Sequence, residues 1–185
     1  MRKAKTKSDE AIVAQIIAGD IDAFEEIMTR YEDKLIRYVI YLIRHQTPVE
    51  DVVQETFIKA YQNLHNFNPK YKFSSWIYRI AHNEAINAVR KLRFVSDKEI
   101  DDLPDVYDQK VGEIMDQKLR QKQVRLCLNQ LSQKYREVVQ LVYLENMKYE
   151  EVGQILQIPT STVGVRLARA KNQLKKICEQ KGVKL

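Results

Sequence analysis

Residues that interrupt helices are scarce in this chain: its 185 residues include five glycines and four prolines. Apolar residues recur three and four positions apart through most of the length, the period of an amphipathic helix, and no alternating strand pattern persists. The expected fold is therefore all-α. A first helix is predicted to open after Ser8. Asp20 is a candidate cap for a second, running from about Ile21 to Ile43, with Phe24, Ile27, Met28, Tyr31, Leu35, Tyr38, Val39 and Leu42 along one face. Pro48 starts a third that reaches about Leu64. The stretch His65 to Ser75, with Asn66, Asn68, Pro69 and Ser74, breaks the period before a fourth helix from about Ser75 to Phe94.

These four helices predict one bundle over residues 8–95. Composition then changes. From Ser96 to Glu113, seven acids face two lysines, with Pro104 and Gly112 interrupting, which predicts a flexible acidic linker over 96–113. Periodicity resumes near Ile114 and gives a second small helical domain over 114–180, with helices at about 114–129, 132–145, 148–156 and 160–179.

The segment Tyr149 to Ala168, YEEVGQILQIPTSTVGVRLA, has the form of a helix-turn-helix. Val152, Ile155 and Leu156 make the inner face of a short helix, Gly153 permits close approach, and Gln157, Ile158 and Pro159 form the turn. Thr160 or Ser161 is expected to cap the next helix, whose apolar positions Val163, Leu167, Ala170, Leu174 and Ile177 must face the protein. Its other side carries Ser161, Gly164, Val165 and Arg169, with Arg166 and Lys171 nearby, a set suited to a major groove and its flanking phosphates. From Pro159 to Leu185 there are seven basic residues and one acid, within a chain of formal net charge +6. A polyanionic partner fits that end.

The segment Asp51 to Tyr61, DVVQETFIKAY, followed by FNPKYKFSSWIYRIAHNEAINAVRKLR, resembles domain 2 of bacterial RNA polymerase sigma factors. LSQKYREVVQLVYLENMKYEEVGQILQIPTSTVGVRLARAKNQLKK resembles domain 4 of the same proteins. The pair, in that order, is similar to the extracytoplasmic-function group, which retains only these two domains. The resemblance implies that Asp51, Gln54, Glu55 and Lys59, left outward when Val52, Val53, Phe57 and Tyr61 pack inward, dock on the clamp helices of core RNA polymerase. It implies minus-ten promoter recognition by Lys70, Lys72, Trp76, Tyr78, Arg79, Asn83 and Arg90, with Asn83 at the position that holds a flipped-out base. Between Lys70 and Arg93, six basic residues and one acid interleave with Tyr71, Phe73, Trp76 and Tyr78, a basic groove with stacking platforms for a single strand. Trp76, Ile77 and Ile80 also suit a core. Minus-thirty-five recognition as duplex would fall to Thr160, Ser161, Val165, Arg166, Arg169 and Lys171. Here Gly164 and Val165 depart from the family's basic residue followed by Ser or Thr; Val165 is suited to a thymine methyl. The linker is implied to pass through the polymerase cleft, and an anti-sigma factor is an implied partner.

No phosphate-binding glycine loop or paired catalytic constellation occurs, and His45, His65 and His82 are dispersed, so neither enzymatic activity, nor a cofactor, nor a metal is expected. Cys127 and Cys178 sit among apolar residues and are expected to be buried, reduced thiols. The longest apolar run, Tyr38 to Ile43, is six residues, against the about 20 that span a bilayer. With a basic start that leads into Ser8, Asp9 and Glu10, this predicts a cytoplasmic protein without membrane insertion. The competing class is a conventional regulator that binds duplex as a dimer; it explains the C-terminal unit and leaves the aromatic basic groove without a use.

Overall fold

A computed structural model describes residues 7–43, 48–95, 123–124 and 126–183. The acidic segment 96–113 and the first part, 114–122, of the helix expected over about 114–129 lie outside the described residues. The chain forms two compact units, and among the described residues there is no strand.

The N-terminal unit holds α1 (Asp9–Ile17), α2 (Phe24–Ile43), α3 (Val49–Gln62) and α4 (Phe73–Val95). Ser8 caps α1, its hydroxyl accepting from the Ala11 amide at 3.2 Å, which satisfies one of the amide groups a helix start leaves unpaired. Gly19 ends the following turn at φ +111°, a conformation that side-chain-bearing residues rarely adopt. Asp20 does not cap α2 as expected. Its side chain makes no capping bond, and Ile21–Ala23 form a single 3-10 turn before α2 starts at Phe24.

The core follows the helical period. Ile12, Val13 and Ile16 of α1, Ile27, Leu35, Tyr38 and Val39 of α2, Val52, Val53, Phe57 and Ala60 of α3, and Phe73, Ile77, Ala81 and Ala85 of α4 are all buried. A large apolar side chain fully withdrawn from water in this way contributes roughly 1.5–3 kcal/mol. Two residues expected inside are on the edge instead. Met28 and Tyr61 are each 41% exposed, although the Tyr61 ring still packs edge-on against Phe24 with centroids 5.1 Å apart.

In the C-terminal unit, residues 126–129 are helical and are followed by α5 (Gln133–Val139), a π-helical turn (Gln140–Leu144), α6 (Tyr149–Leu156) and α7 (Thr160–Gln180). The helix expected over 132–145 thus widens after Val139: the Glu145 amide donates to Gln140 O at 3.1 Å, a five-residue step. Cys127 and Cys178 are free and buried. Burial pushes the Cys178 thiol up to about 11, with the neighbouring Cys127 thiol adding to the shift. It is thus a packed, protonated thiol at neutral pH.

Candidate nucleic-acid and partner interfaces

On α3, Asp51, Gln54 and Glu55 are exposed along one side, as the amphipathic pattern requires. Lys59 is partly withdrawn from that surface: its ammonium lies 2.6 Å from Glu84 Oε2 on α4 and 3.4 Å from Glu55 Oε1. The hydrogen bond to Glu84 outweighs desolvation and raises the Lys59 pKa. Lys59 therefore also ties α3 to α4.

Beside this polar strip, between α2 and α3, lies a groove of about 560 Å³. Met28, Ile36, Val53, Ile58 and Tyr61 line it, with Gln54 and Glu50 among its polar residues. Its apolar side chains are contiguous across the two helices, unlike those scattered singly over a surface. The sequence reading did not single it out. The available signal was Ile58, four residues after Gln54 and seven after Asp51, an apolar side chain on an otherwise polar face and 43% exposed.

The loop before α4 is shaped by Asn68, whose side-chain oxygen accepts from the Lys70 amide at 3.0 Å and whose carbonyl accepts from the Tyr71 amide at 3.0 Å. Such local bonds are why Asn is common in turns. The loop leaves Lys70, Tyr71 and Lys72 exposed. On α4, Trp76, Arg79, Asn83 and Arg90 fall at spacings of three, four and seven, which puts all four on one helix face. Asn83 and Arg90 are exposed, while Trp76 and Arg79 are partly so. The Arg90 guanidinium donates to Asn87 Oδ1 at 3.1 Å, which adds Asn87 to this face.

Trp76 has two roles in packing and surface: it leans on Phe73 and Phe67, with centroids 5.6 and 5.7 Å away, and keeps part of its ring open. Tyr78 overturns its expected role. It is 2% exposed and packs against Tyr38 at 5.1 Å, because it lies on the buried side of α4 beside Ile77, and it has no face to offer a base. Tyr71, expected beside it as a stacking ring, is by contrast 53% exposed between two lysines. His82, next to Asn83, points inward, with Nδ1 3.0 Å from the Tyr38 hydroxyl. Burial lowers its pKa to about 4, so it brings no positive charge to this surface at neutral pH.

In the C-terminal unit, α6 ends at Gln157 in the left-handed conformation, φ +53°. The Ile158 amide then donates back to Gly153 O at 3.0 Å. A Cβ on Gly153 would meet Ile158 O at 2.8 Å. The glycine is thus required first by the turn backbone, and the expected approach of the second helix is present as a looser contact, with the Thr160 nitrogen and hydroxyl 3.7 Å from the same point. Neither Thr160 nor Ser161 caps α7. Pro159 occupies the cap position, its carbonyl accepting from the Thr162 and Val163 amides at 2.9 and 3.2 Å. Proline's fixed φ suits a helix start, where a missing N–H costs nothing.

Along α7, Val163, Leu167 and Ala170 are buried, while Thr160, Ser161, Val165 and Arg169 are exposed. Val165 is half exposed, at 50%. Ala168 and Asn172 share the exposed stripe of Ser161 and Val165 by their spacing and were not singled out from the sequence. Gly164 and Lys171 lie on its flank. The Tyr149 ring is 3.7 Å from where a Gly164 side chain would begin. The Lys171 ammonium sits 5.3 Å from the Tyr143 ring centre, and its pKa is raised first by a hydrogen bond to that tyrosine. Arg166 is partly buried on the other flank; burial raises the pKa of Glu137 on α5, opposed by a hydrogen bond from Gln133 and then by the charges of Arg136 and Arg166. Among the described residues, no group of three or more His, Cys, Asp or Glu is placed to hold a metal ion, and no helix is long and apolar enough to cross a membrane.

Residues 27–95 match the Sigma-70 region 2 family and residues 121–174 match Sigma-70, region 4. The chain is 33% identical over 174 residues to the ECF RNA polymerase sigma factor SigW of Bacillus subtilis, covering 89% of this chain and 93% of the relative. It is 31% identical over 184 residues to the ECF RNA polymerase sigma-E factor of Haemophilus influenzae, covering 92% and 95%. Among solved structures, CnrH in complex with the cytosolic domain of CnrY superposes with a TM-score of 0.71 at 24% identity, over 94% of this chain and 99% of that one. The sigma factor RpoE in complex with the anti-sigma factor NepR from Bartonella quintana gives a TM-score of 0.71 at 24% identity, over 84% and 96%.

The chain belongs to the extracytoplasmic-function (ECF) family of RNA polymerase sigma factors. It is accordingly a transcription-initiation factor that directs RNA polymerase to promoters.

Proposed function

We propose that the two units divide promoter recognition between them, residues 8–95 docking on core polymerase and capturing the minus-ten strand, residues 114–180 reading the minus-thirty-five duplex. The observation that carries this is the single α4 face of Trp76, Arg79, Asn83 and Arg90, which continues from a loop exposing Lys70, Tyr71 and Lys72. Cations beside aromatic faces hold an unpaired strand by phosphate attraction and stacking, and an exposed Asn offers both a donor and an acceptor to a base edge. In the other unit, Ser161, Val165 and Arg169 are the base-reading set, with Thr160, Arg166 and Lys171 towards the phosphates.

Asp51, Gln54 and Glu55, with Lys59 behind them, are the polymerase-docking strip, and the adjacent groove supplies apolar contact. The same surface suits a masking anti-sigma factor of the kind bound in the RpoE structure. In this reading polymerase supplies the chemistry, the chain is no catalyst, and it acts in the cytoplasm in a stress or envelope-signal response. Each unit alone makes few phosphate contacts, so tethering both to one polymerase is what raises their effective concentration.

Retention of purified core polymerase on the immobilised chain tests the docking surface. The Asp51→Ala, Glu55→Ala double variant is expected to weaken retention by roughly 10-fold or more, as loss of interfacial charge partners does. Unchanged affinity removes the strip from the interface, and no retention of core by the wild type overturns the reading as a whole.

A further inference from the structure

Resting on the reading above, we infer that Glu10, at the start of α1, is a positioning residue for minus-ten strand capture. It holds the loop of Lys70, Tyr71 and Lys72 by capping α4 from a distant part of the chain. The first amide of α4, that of Phe73, donates to Glu10 Oε1 at 3.1 Å. The residue preceding α4 is Lys72, whose carbonyl accepts from the Trp76 amide at 3.3 Å. Lys72 offers no side-chain oxygen to the unpaired amides of the first turn, and a cap residue of the usual kind would reach the second or third amide, not that of Phe73. The carboxylate comes instead from 63 residues upstream.

Glu10 is itself held in place. The neighbouring Asp9 accepts from the Arg30 guanidinium at 2.7 Å and from the Tyr31 hydroxyl, fixing the start of α1 on α2. The Tyr31 ring in turn meets Phe73 edge-on at 5.7 Å. Phe73 also packs on Phe67 at 5.6 Å. The loop is therefore gripped at both ends, by an aromatic contact at Phe67 and by the amide cap at Phe73. A cleft of about 570 Å³ is shared by Ser8, Asp9 and Glu10 with Lys70, Tyr71 and Lys72, so the strut and the strand-capturing loop border one space. Releasing the cap loosens the loop while leaving the α3 docking strip untouched.

The test uses holoenzyme assembled from core polymerase and the full chain, on a promoter that the wild-type holoenzyme opens. Permanganate reactivity of unpaired thymines and core affinity are read in parallel. Glu10→Ala is expected to lower opening about fivefold, the scale of losing a helix cap, with core affinity within about twofold of the wild type. Glu10→Gln, whose amide oxygen still accepts, is expected to restore opening. Wild-type opening by Glu10→Ala overturns the inference. So does a parallel loss of core affinity and opening, which would make Glu10 a support of the fold in general, and so does failure of Glu10→Gln to rescue. If the wild type itself opens no promoter with core, it is the sigma-factor reading that has failed, and the inference falls with it.

Discussion

Helices α4 and α7 both present a polar stripe opposite a buried one, yet they are assembled from very different distances along the chain. The start of α4 is capped by Glu10, its middle is tied to α2 by the His82 and Tyr38 pair, and Glu84 is bridged to Lys59 of α3. The start of α7 is shaped by near neighbours in sequence: Gly153, the left-handed Gln157 and Pro159. A recognition helix that enters an intact groove needs only a rigid rod at a set angle, which a local motif supplies. Capturing bases after they leave the stack needs side chains from a loop and a helix held in one frame, and that takes tertiary contacts.

If this contrast is right, substitutions behind α4 disturb folding, whereas substitutions on the face of α7 disturb sequence choice. The largest expected effect is that of Tyr78→Ala. It empties a fully buried site against Tyr38 and is expected to cost about 3–5 kcal/mol. Urea unfolding followed by tryptophan fluorescence measures it, since Trp76 is the chain's only tryptophan and reports on this unit. A loss below about 1 kcal/mol would contradict the burial and break the comparison on its α4 side.

His82 sharpens the same side through pH. Its folded pKa is lowered from 6.5 to about 4 by burial, so between these values the unfolded chain binds a proton that the folded chain does not. The contribution is complete above about pH 6.5 and is lost progressively as pH falls towards 4, by up to about 3 kcal/mol. The difference in stability between wild type and His82→Gln is therefore expected to shrink or reverse on going from pH 7.5 to pH 4.5. A constant difference across that range would show that the imidazole titrates normally.

Arg169→Ala is the smallest of the three and the one aimed at α7. Exposed and without a part in the core, Arg169 is expected to leave the unfolding transition unchanged. Its loss should remove about 1–3 kcal/mol of promoter discrimination. Transcription from intact and scrambled upstream elements reads this directly. Equal output by the wild type from the two templates would reject base reading by this helix.

The described helices were legible because their causes are local: apolar period, the Ser8 cap, and scarce breakers. So was the turn at Gln157 to Pro159. Legibility ended where the cause is remote. The fourth helix was expected from about Ser75 and begins at Phe73, and the acceptor that its first amide finds belongs to Glu10, 63 residues away. Tyr78 was misplaced for a related reason: it and Tyr71 both flank basic residues in sequence, and only the packing of Tyr38 against α4 puts Tyr78 inside. The apolar groove of Met28, Ile58 and Tyr61 likewise needs two helices side by side before it exists.

The most direct measurement is runoff transcription with purified core RNA polymerase on a genomic template library, with the start sites mapped. Start sites that depend on this chain, and that share one element near minus ten and a second near minus thirty-five, are what two DNA-gripping units on one polymerase predict. No chain-dependent initiation, or a palindromic footprint formed without polymerase, would contradict it.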